Sequence, residues 1–550
     1  MNPHACTKRA GRLLMALAAA TSILLMAACG SGNPITVPNP QGFNNGSLTG
    51  TYVISIAGTD VNSANFVVPF AIAGTIQANG KGGITTGTID INDPGNTGVN
   101  LGVAVSSSSS SYNVSTDGRG TGTLVTTVAT FNVDFVLTST NHGLITRFDN
   151  LGTGSGTIDL QSSASQSSLG SLAFTLSGAD SGGNLLGTVG GLTLNSSTGA
   201  INSGTQDYNV GATSGAGFTN LPLSGQVVLA ASGTTGTATL TTSFGSFAFD
   251  VWVIDSAHLK FIETDTVASL VILAGDAFTQ LTSFSPGQEV FTLTGVDGGL
   301  FPVVAGGYVT VTDANGDLSN GVEDYNDAGT GALGKVFNGS GACDTSTGRC
   351  QTLLNGFTNG SANPLTFAYY PSSGGALALE IDSFGLLQGA AYSQSATSFT
   401  APAGYALNLS GNNTDGQGDI FEVDDIAQFN ATTTASPAVN MTGLLDENSL
   451  LGGPFPGKSL NPGTYTPDTI APPDGRGTIV ATTNNTYIGG VTLQYYVVDS
   501  STVVFIEVDQ AQFTVGTFQA QSTSSSAAMA QSHIALVHAA ARPHGALRRK

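Results

Sequence analysis

Apolar and polar residues alternate along most of the chain, and this pattern carries the first prediction. A clear example is the segment 52–58 (YVISIAG). Successive side chains of a strand point to opposite faces, so alternation over about four to eight residues is typical of a half-buried strand. No stretch between residues 48 and 521 has the spacing of an amphipathic helix. The pattern therefore predicts short β-strands joined by tight turns.

These strands follow one another in a fixed order, which defines a module. Each module opens with an alternating strand that ends in glycine: residues 52–58, 174–178, 291–295 and 405–411. A hairpin follows, as at Asn79-Gly80, because Asn-Gly is favoured in the type I′ turn. The rest of the module brings the total to about eight strands. It consists of a strand with an Asp-x-Asn sequence, an Asp-Gly-Arg-Gly hairpin, a strong pair of strands such as 249–254 and 259–265, and a short final strand.

The Asp-x-Asn sequence shows that the module is repeated. It occurs at residues 90–92, 207–209 and 324–326, and 207 − 90 and 324 − 207 both equal 117. In the fourth copy the position is interpreted as decayed, with Asp424-Asp425-Ile426 in its place. A fixed period of this kind indicates duplication of one unit. The predicted modules are residues 48–166, 167–284, 285–398 and 399–522.

The predicted fold class is all-β, with four tandem modules of about eight antiparallel strands each. Sequential hairpins suit an up-and-down meander, and closing the meander into a barrel would remove its exposed edges. We expect four such barrels in a row. Immunoglobulin-like sandwiches are the alternative, since their Greek-key connections cannot be excluded from sequence alone.

The N-terminus has the features of an export signal. Residues 1–28 combine a basic start, with Lys8, Arg9 and Arg12, and an apolar segment that ends at Ala28. The segment 25–30 (LMAACG) resembles the lipobox of bacterial lipoproteins, in which the cysteine is acylated and becomes the new N-terminus. This resemblance implies lipidation of Cys29, a tether over residues 29–47, and anchoring in the outer membrane on its periplasmic or extracellular face.

The last segment, residues 523–550, lies outside the repeat and is rich in alanine and basic residues. A frayed tail is the simplest interpretation. A weak helix that contacts anionic lipid is the functional alternative.

The charge of the modules excludes one class of partner. Of 15 basic residues, 3 lie in the signal and 4 in the tail, which leaves 8 against 36 acidic residues. Nucleic-acid binding needs lysine and arginine to neutralise phosphates. We therefore expect no nucleic-acid partner.

Two cysteines remain once Cys6 is removed with the signal and Cys29 carries the lipid. Cys343 and Cys350 should form a disulfide in an exported protein. Gly348-Arg349 corresponds to the Asp-Gly-Arg-Gly hairpin of the other modules, so the disulfide would close that hairpin. Redox or metal chemistry is the alternative, but no CxxC spacing and no neighbouring histidine supports it.

A Glu-x-Asp sequence recurs near the end of three modules. Residues two apart on a strand share a face, so these carboxylates could contact a ligand or cation, or act as a glycosidase pair. Because they recur, and because Arg147 and Asp149 stand at the equivalent place in the first module, we expect strand ends that reach solvent. The pairs are Glu263 and Asp265, Glu380 and Asp382, and Glu507 and Asp509.

One segment begins like a calcium-binding loop. Asp313, Asn315 and Asp317 place oxygen atoms at alternate positions, but Leu318 stands where such a loop has glycine. A hairpin turn is the preferred interpretation, because the first module has a turn at the same place. A weak Ca²⁺ site in the third module is the alternative, and no other cofactor is expected.

Two nucleotide-binding patterns occur by chance. Residues 452–459 match GxxxxGK[ST] and residues 329–334 match GxGxxG. Neither has the strand and helix that such chemistry requires, and 74 glycines make coincidental matches common. Without an HExxH, GxSxG or Cys-His arrangement, the sequence predicts that the protein is not an enzyme.

The repeated phrases over residues 48–521 resemble a group of uncharacterised multi-repeat surface lipoproteins of soil bacteria, for which the resemblance implies no activity. The leading hypothesis is a non-enzymatic cell-surface lipoprotein whose modules act as an adhesin or spacer that binds glycan, matrix or a cell-surface protein. Small-molecule-binding barrels, like avidin or lipocalins in architecture only, are a second hypothesis. A carboxylate-dependent glycoside hydrolase is a third. A filled barrel would favour a spacer, and a hollow one a receptor.

Overall fold

The computed structural model describes residues 42–523 except 181, 212–217, 266–271, 402, 415–418, 434–438, 469–473, 485–489 and 511. The predicted signal peptide, the predicted lipidation site at Cys29 and the tail beyond residue 523 lie outside the described residues. Within the described part, no helix combines the length and apolar character needed to cross a membrane.

The first module begins with a short 3₁₀ turn (Asn45–Ser47), followed by nine strands. These are β1 (Thr49–Val61), β2 (Val67–Asn79), β3 (Ile84–Asp93), β4 (Gly98–Ala104), β5 (Ser111–Val114), β6 (Arg119–Val125), β7 (Thr130–Leu137), β8 (His142–Phe148) and β9 (Gly152–Leu160). They form one antiparallel sheet in the order β4-β3-β2-β1-β9-β8-β7-β6-β5. A bridge from Val105 to Thr126 brings the two ends of the sheet together, so the module is nearly a closed barrel.

The second module repeats this plan after a short helix, α1 (Gln166–Leu169). Its strands are β10 (Ser171–Ala179), β11 (Leu185–Leu194), β12 (Ile201–Val210), β13 (Phe218–Pro222), β14 (Ser224–Leu229), β15 (Thr235–Thr241), β16 (Ser246–Asp255), β17 (His258–Glu263) and β18 (Ile272–Thr279). The order β13-β12-β11-β10-β18-β17-β16-β15-β14 again leaves two consecutive strands at the ends of the sheet.

The third module is a closed eight-stranded barrel. A single long strand, β22, replaces the two short strands that end the sheets of the first two modules. The strands are β19 (Gly287–Asp297), β20 (Pro302–Val311), β21 (Leu318–Asp327), β22 (Thr330–Asp344), β23 (Arg349–Asn355), β24 (Leu365–Ser372), β25 (Gly375–Glu380) and β26 (Gly385–Ser393).

The fourth module is a closed barrel of the same kind. Its strands are β27 (Ala403–Thr414), β28 (Ile420–Thr433), β29 (Val439–Ser449), β30 (Gly453–Pro467), β31 (Arg476–Ala481), β32 (Val491–Val497), β33 (Thr502–Glu507) and β34 (Gln512–Ala520). The prediction of an all-β fold with four up-and-down antiparallel modules is therefore confirmed. The sandwich alternative is wrong, because consecutive strands pair throughout each sheet.

Buried apolar side chains fill the interior of each module. Every second residue of a strand points inward, for example Tyr52 and Ile54 in the first module and Phe291 and Leu293 in the third. One further apolar residue lies before the first strand of each module and covers one end of its core. These four residues are Phe43, Leu169, Phe284 and Phe399, all less than 10% exposed.

The modules form a closed ring. In each contact, the first three strands of one module pack on the last three strands of the next. Apolar side chains such as Ile262 and Trp252 fill the contact between the first and second modules, and Val136, Leu144 and Ile426 lie between the fourth and the first. A head-to-tail contact that repeats with a suitable rotation closes on itself. The expected row is therefore wrong: the fourth module contacts the first.

Candidate functional site

The Asp-x-Asn sequence lies at the contact between modules. Its Asp and Asn point out of their own module, and the residue between them points inward. Each asparagine Nδ2 donates a hydrogen bond to a backbone carbonyl of the next module. The bonds run from Asn92 to Glu263 O (3.0 Å), from Asn209 to Glu380 O (2.8 Å), from Asn326 to Asp509 O (2.7 Å) and from Asn448 to Arg147 O (2.8 Å).

The fourth copy of the sequence is Asp446-Glu447-Asn448, which corrects the interpretation that it had decayed to Asp424-Asp425-Ile426. Asp424 lies one strand earlier, on β28, and its Oδ2 accepts a hydrogen bond of 2.8 Å from Thr153 Oγ1 of the first module. The sequence comparison missed the true copy because it is offset by 122 residues from Asp324 instead of 117.

The aspartate of each copy binds a donor from the next module. Arg349 forms an ion pair with Asp207 (2.8 Å), and Arg476 forms one with Asp324 (2.6 Å). Tyr370 and Tyr496 add hydroxyl hydrogen bonds of 2.7 and 2.6 Å to the same two carboxylates. The arginine of the predicted Asp-Gly-Arg-Gly hairpin is therefore a residue of the module contact.

The two contacts of the first module differ from this arrangement. Asp446 Oδ2 forms an ion pair with Arg119 Nη1 at 3.4 Å. For Asp90, the strand register places Thr235 where the other modules have arginine, and the indole Nε1 of Trp252 donates to the carboxylate at 3.1 Å. Burial raises the pKa of Asp90 to about 6.

Oδ1 of each aspartate accepts a hydrogen bond from a backbone N–H in its own module. The donors have positive φ and form a bulge in the facing strand: Gly102, Asn220, Gly334 and Gly457. Gly334 ends the GxGxxG match, and Gly457 lies in the GxxxxGK[ST] match, within strand β30. Both sequences are strand bulges at module contacts, in agreement with their rejection as nucleotide-binding loops.

A glutamine follows the last strand of every module and binds the next module. Gln161 Nε2 donates to the carbonyls of Thr234 and Val253, both at 3.0 Å. Gln280 and Gln394 make the same kind of bond, and Gln521 donates to Asp117 O and Leu137 O of the first module, both at 2.9 Å. Sequence analysis missed these residues, although a glutamine at the end of each module is visible in the sequence.

The glutamates of the Glu-x-Asp pairs do not reach solvent, which corrects that expectation for them, whereas their aspartates are half-buried. Glu263, Glu380 and Glu507 are 0% exposed and point into their own modules. Burial raises the pKa of Glu263 to about 9 and raises the pKa values of Glu380 and Glu507 well above their ordinary value. These glutamates therefore hold their protons at neutral pH.

The aspartates of these pairs bind backbone N–H groups of a neighbouring strand. Asp265, Asp382 and Asp509 accept from Ala248 N (2.9 Å), Thr366 N (2.6 Å) and Thr492 N (3.2 Å). In the first module, Arg147 takes the position of the glutamate and pairs with Asp60 and Asp149, each at 3.1 Å. The position is therefore part of the module framework.

The segment that begins like a calcium loop forms the hairpin between β20 and β21. Asp313 Oδ1 accepts hydrogen bonds from Asn315 N (3.0 Å) and Asp317 N (3.1 Å), and Asp317 Oδ1 accepts one from Gly341 N (2.8 Å). These bonds lower the pKa of Asp313. Among the described residues, no group of three or more His, Cys, Asp or Glu side chains could hold a metal ion.

The predicted disulfide between Cys343 and Cys350 is confirmed. The two residues face each other across β22 and β23, one residue pair from the turn, where Asp344 pairs with Arg349. The bond therefore closes the hairpin that carries Arg349 to Asp207.

A groove of about 380 Å³ with both polar and apolar side chains in its wall lies on the outer face of the first module, along β5, β6 and β7. Pro456 of the fourth module forms part of its wall. Its exposed polar groups come from Asn113, Thr121 and Asn132, and Phe148 supplies a half-buried aromatic ring. Asp134 also lines the groove, and burial together with the charge of Asp446 raises its pKa to about 7. Sequence analysis did not find this groove, since its wall combines side chains of three strands with Pro456 from a distant part of the chain.

Comparison with known proteins shows no matching family model and no matching curated protein. Among solved structures, isotype 1 transferrin binding protein B from serogroup B Neisseria meningitidis aligns with 10% identity over 69% of this chain and 84% of its own, at a TM-score of 0.18. Intact Ap-TbpB aligns with 10% identity over 86% and 95%, at 0.17. A mutant of the vaccine antigen TbpB from Haemophilus parasuis aligns with 8% identity over 86% and 96%, also at 0.17. Scores this low carry no argument about this chain.

Proposed function

We propose that the protein is a non-enzymatic, lipid-anchored surface protein of the outer membrane that binds glycan through the groove of the first module. The ring of modules is the rigid scaffold that presents the groove. The groove carries the proposal, because its volume of about 380 Å³ lies in the range of about 300–1,000 Å³ that ligand sites occupy.

The chemistry of the groove favours a sugar. Amide and hydroxyl groups, here from Asn113, Thr121 and Asn132, both donate and accept hydrogen bonds, as the hydroxyl groups of a sugar require. The ring of Phe148 offers an apolar surface for the C–H face of the sugar. The groove contains no basic side chain, so a neutral glycan fits it better than a sulfated or phosphorylated one.

The interiors of the modules count against the two other hypotheses. Aromatic and aliphatic side chains fill them, which leaves little room for a ligand of lipocalin size. The hydrolase hypothesis needs one ionised carboxylate and one protonated acid in a cleft. The recurring glutamates are all buried and protonated, and their aspartates bind the backbone.

The glycan proposal is tested by a glycan array with the mature chain that begins at Cys29. Thr121→Tyr fills the groove and Asn132→Ala removes an amide, so both should abolish binding. The matched control is Thr237→Tyr, which places the same ring at the same register position on the outer face of the second module. Equal binding by all three variants, or no binding by the folded wild-type chain, would refute the groove as a glycan site.

Anchoring is tested separately in a host that acylates lipoproteins. Metabolic labelling with a fatty acid should label the wild-type chain and not Cys29→Ser, and only the wild-type chain should sediment with outer membranes. A labelled Cys29→Ser variant would show that the lipid is elsewhere. This result is independent of the glycan array.

A further inference from the structure

One buried side chain of the third module departs from the pattern of the other three. The inward position six residues before the glycine that ends the first strand is Tyr52, Leu172 and Tyr405 in the first, second and fourth modules, and Glu289 in the third. The hydroxyl groups of Tyr52 and Tyr405 donate hydrogen bonds of 2.7 and 2.6 Å to backbone carbonyls. A carboxyl group at this position is not part of the shared framework.

Glu289 lines a cavity at one end of the third barrel. Its side chain is 7% exposed, and among the described residues it has no hydrogen-bond or ion-pair partner. The cavity measures about 30 Å³. Since a site for one water needs roughly 10–15 Å³ on this measure, the cavity holds about two groups of that size.

Five aromatic rings form part of the remaining wall, together with aliphatic side chains. The rings come from Phe284, Phe291, Phe337, Phe357 and Tyr369. The rings contact one another edge to face, for example Phe337 with Phe357 at 5.2 Å and Phe284 with Tyr369 at 6.2 Å between centroids. Phe284 covers the end of the core and is 8% exposed. A carboxylate enclosed by aromatic rings is a site for a weakly hydrated cation.

The lining also decides which cation fits. Thr352 and Tyr369 are the other side chains of the lining that carry oxygen atoms. Ca²⁺ takes about six to eight oxygen ligands and Mg²⁺ needs an octahedral set, so neither suits this wall. We propose that this cavity binds a small organic monocation of the methylammonium class, with Glu289 as its counter-ion and the aromatic rings around its methyl group.

The site has an expected pH dependence. Burial raises the pKa of Glu289 to about 7, and burial together with the charge of Glu289 raises the pKa of Tyr369. The carboxylate must be ionised to hold the cation, so affinity should rise as pH increases through about 7. The proposal stands on the third module alone and does not depend on glycan binding by the first.

The test is titration of the mature chain with ¹³C-labelled methylammonium, observed by NMR, with methanol as an uncharged ligand of the same size. The wild-type chain should bind methylammonium with millimolar affinity and shift its methyl signal upfield, since aromatic rings surround the site. Methanol should not bind. Affinity should increase between pH 6 and 8, a range that brackets the pKa of about 7.

Three variants separate the site from general effects. Glu289→Gln keeps the shape of the cavity and should weaken binding more than about tenfold. Glu289→Tyr restores the residue of the first and fourth modules, fills the cavity, and should bind nothing while unfolding at or above the wild-type temperature. The matched control is Glu380→Gln, a buried acid of the same barrel that does not line the cavity, and it should bind like wild type. Absence of binding to the folded wild-type chain, or equal binding by Glu289→Gln, would overturn the proposal.

Discussion

Buried acidic side chains serve two different purposes in this protein. Asp207 and Asp324 point out of their modules, and each meets an arginine and a tyrosine of the next module. Those that point inward, such as Glu263, have no cation beside them and keep their proton instead. A buried carboxylate is costly unless it is paired, so both solutions avoid an isolated charge.

The protonated state of Glu263 predicts a pH effect on stability. Its pKa rises from 4.5 in the unfolded chain to about 9 in the folded one. The unfolded chain therefore loses this proton first, and the contribution to stability, complete below pH 4.5, is lost as pH rises through about 9. Glu263→Gln should raise the free energy of unfolding at pH 7 by about 1–3 kcal/mol. It should also remove the part of the pH dependence of stability that this proton causes. Urea unfolding at several pH values measures this free energy. An identical pH dependence in the wild-type chain and in Glu263→Gln would contradict the prediction.

Arg349 predicts the strength of one module contact. Arg349→Met leaves Asp207 buried without its cation and should lower the free energy of unfolding by about 3–5 kcal/mol. Thermal and urea unfolding measure the loss. The matched control is Lys335→Met, because Lys335 is exposed and its ammonium lies 5.8 Å from the ring centre of Tyr325. If both substitutions lowered the free energy of unfolding equally, the buried ion pair would contribute no more to stability than an exposed lysine.

At the scale of elements, strand alternation does more than separate core from solvent. In β21, Glu323 and Tyr325 point inward, while Asp324 and Asn326 point to the next module. A strand in this ring can be buried on both faces, as parallel sheets usually are. The bulge at Gly334 directs a backbone N–H at Asp324, so the irregular strand is part of the contact.

The disulfide hairpin of β22 and β23 predicts an effect at this scale. A closed loop of eight residues, 343 to 350, should contribute about 2.5 kcal/mol through the entropy of the unfolded chain. Replacement of both Cys343 and Cys350 by serine should lower the free energy of unfolding by that amount. Adding a thiol reductant to the wild-type chain should reproduce the loss and leave the serine variant unchanged. A reductant that destabilises both proteins alike would contradict this account.

At the scale of the whole molecule, one contact repeated four times makes a ring. The fourth copy uses Asn448 and Gln521 on the first module in the way that Asn92 and Gln161 act on the second. Repetition of a head-to-tail contact yields an open filament unless the rotation between units closes it. Here the rotation closes after four modules, so the two ends of the array stabilise each other.

Ring closure predicts that Asn448 contributes to stability although it lies about 300 residues from its partners. Its Nδ2 donates to the carbonyls of Arg147, Asp149 and Gly152 at 2.8, 3.2 and 2.8 Å. Asn448→Ala should cost about 1–3 kcal/mol, because it leaves buried carbonyls unpaired. Asn326→Ala, which breaks the contact between the third and fourth modules, is the matched comparison and should cost a similar amount.

A row of modules predicts the opposite result, with no effect of Asn448→Ala on unfolding. Small-angle scattering provides a second, independent measurement. A compact chain of the described length should have a radius of gyration of about 23 Å, whereas an extended row would be clearly larger.

Local structure follows from the amino-acid sequence alone. Alternation predicted the strands, and Asn79-Gly80 and the Asp-Gly-Arg-Gly hairpins predicted the turns, because each depends on neighbouring residues along the chain. The disulfide followed from export and from the two cysteines that remain after the signal and Cys29. The tertiary structure decided that Glu263 is enclosed, that Asp446 is the fourth aspartate of the ring, and that a groove and a carboxylate-bearing cavity form beside Asn132 and Glu289. These features depend on the rotation between successive modules and on how well each barrel fills its interior. Both arise from contacts between residues far apart in sequence, which no local pattern encodes.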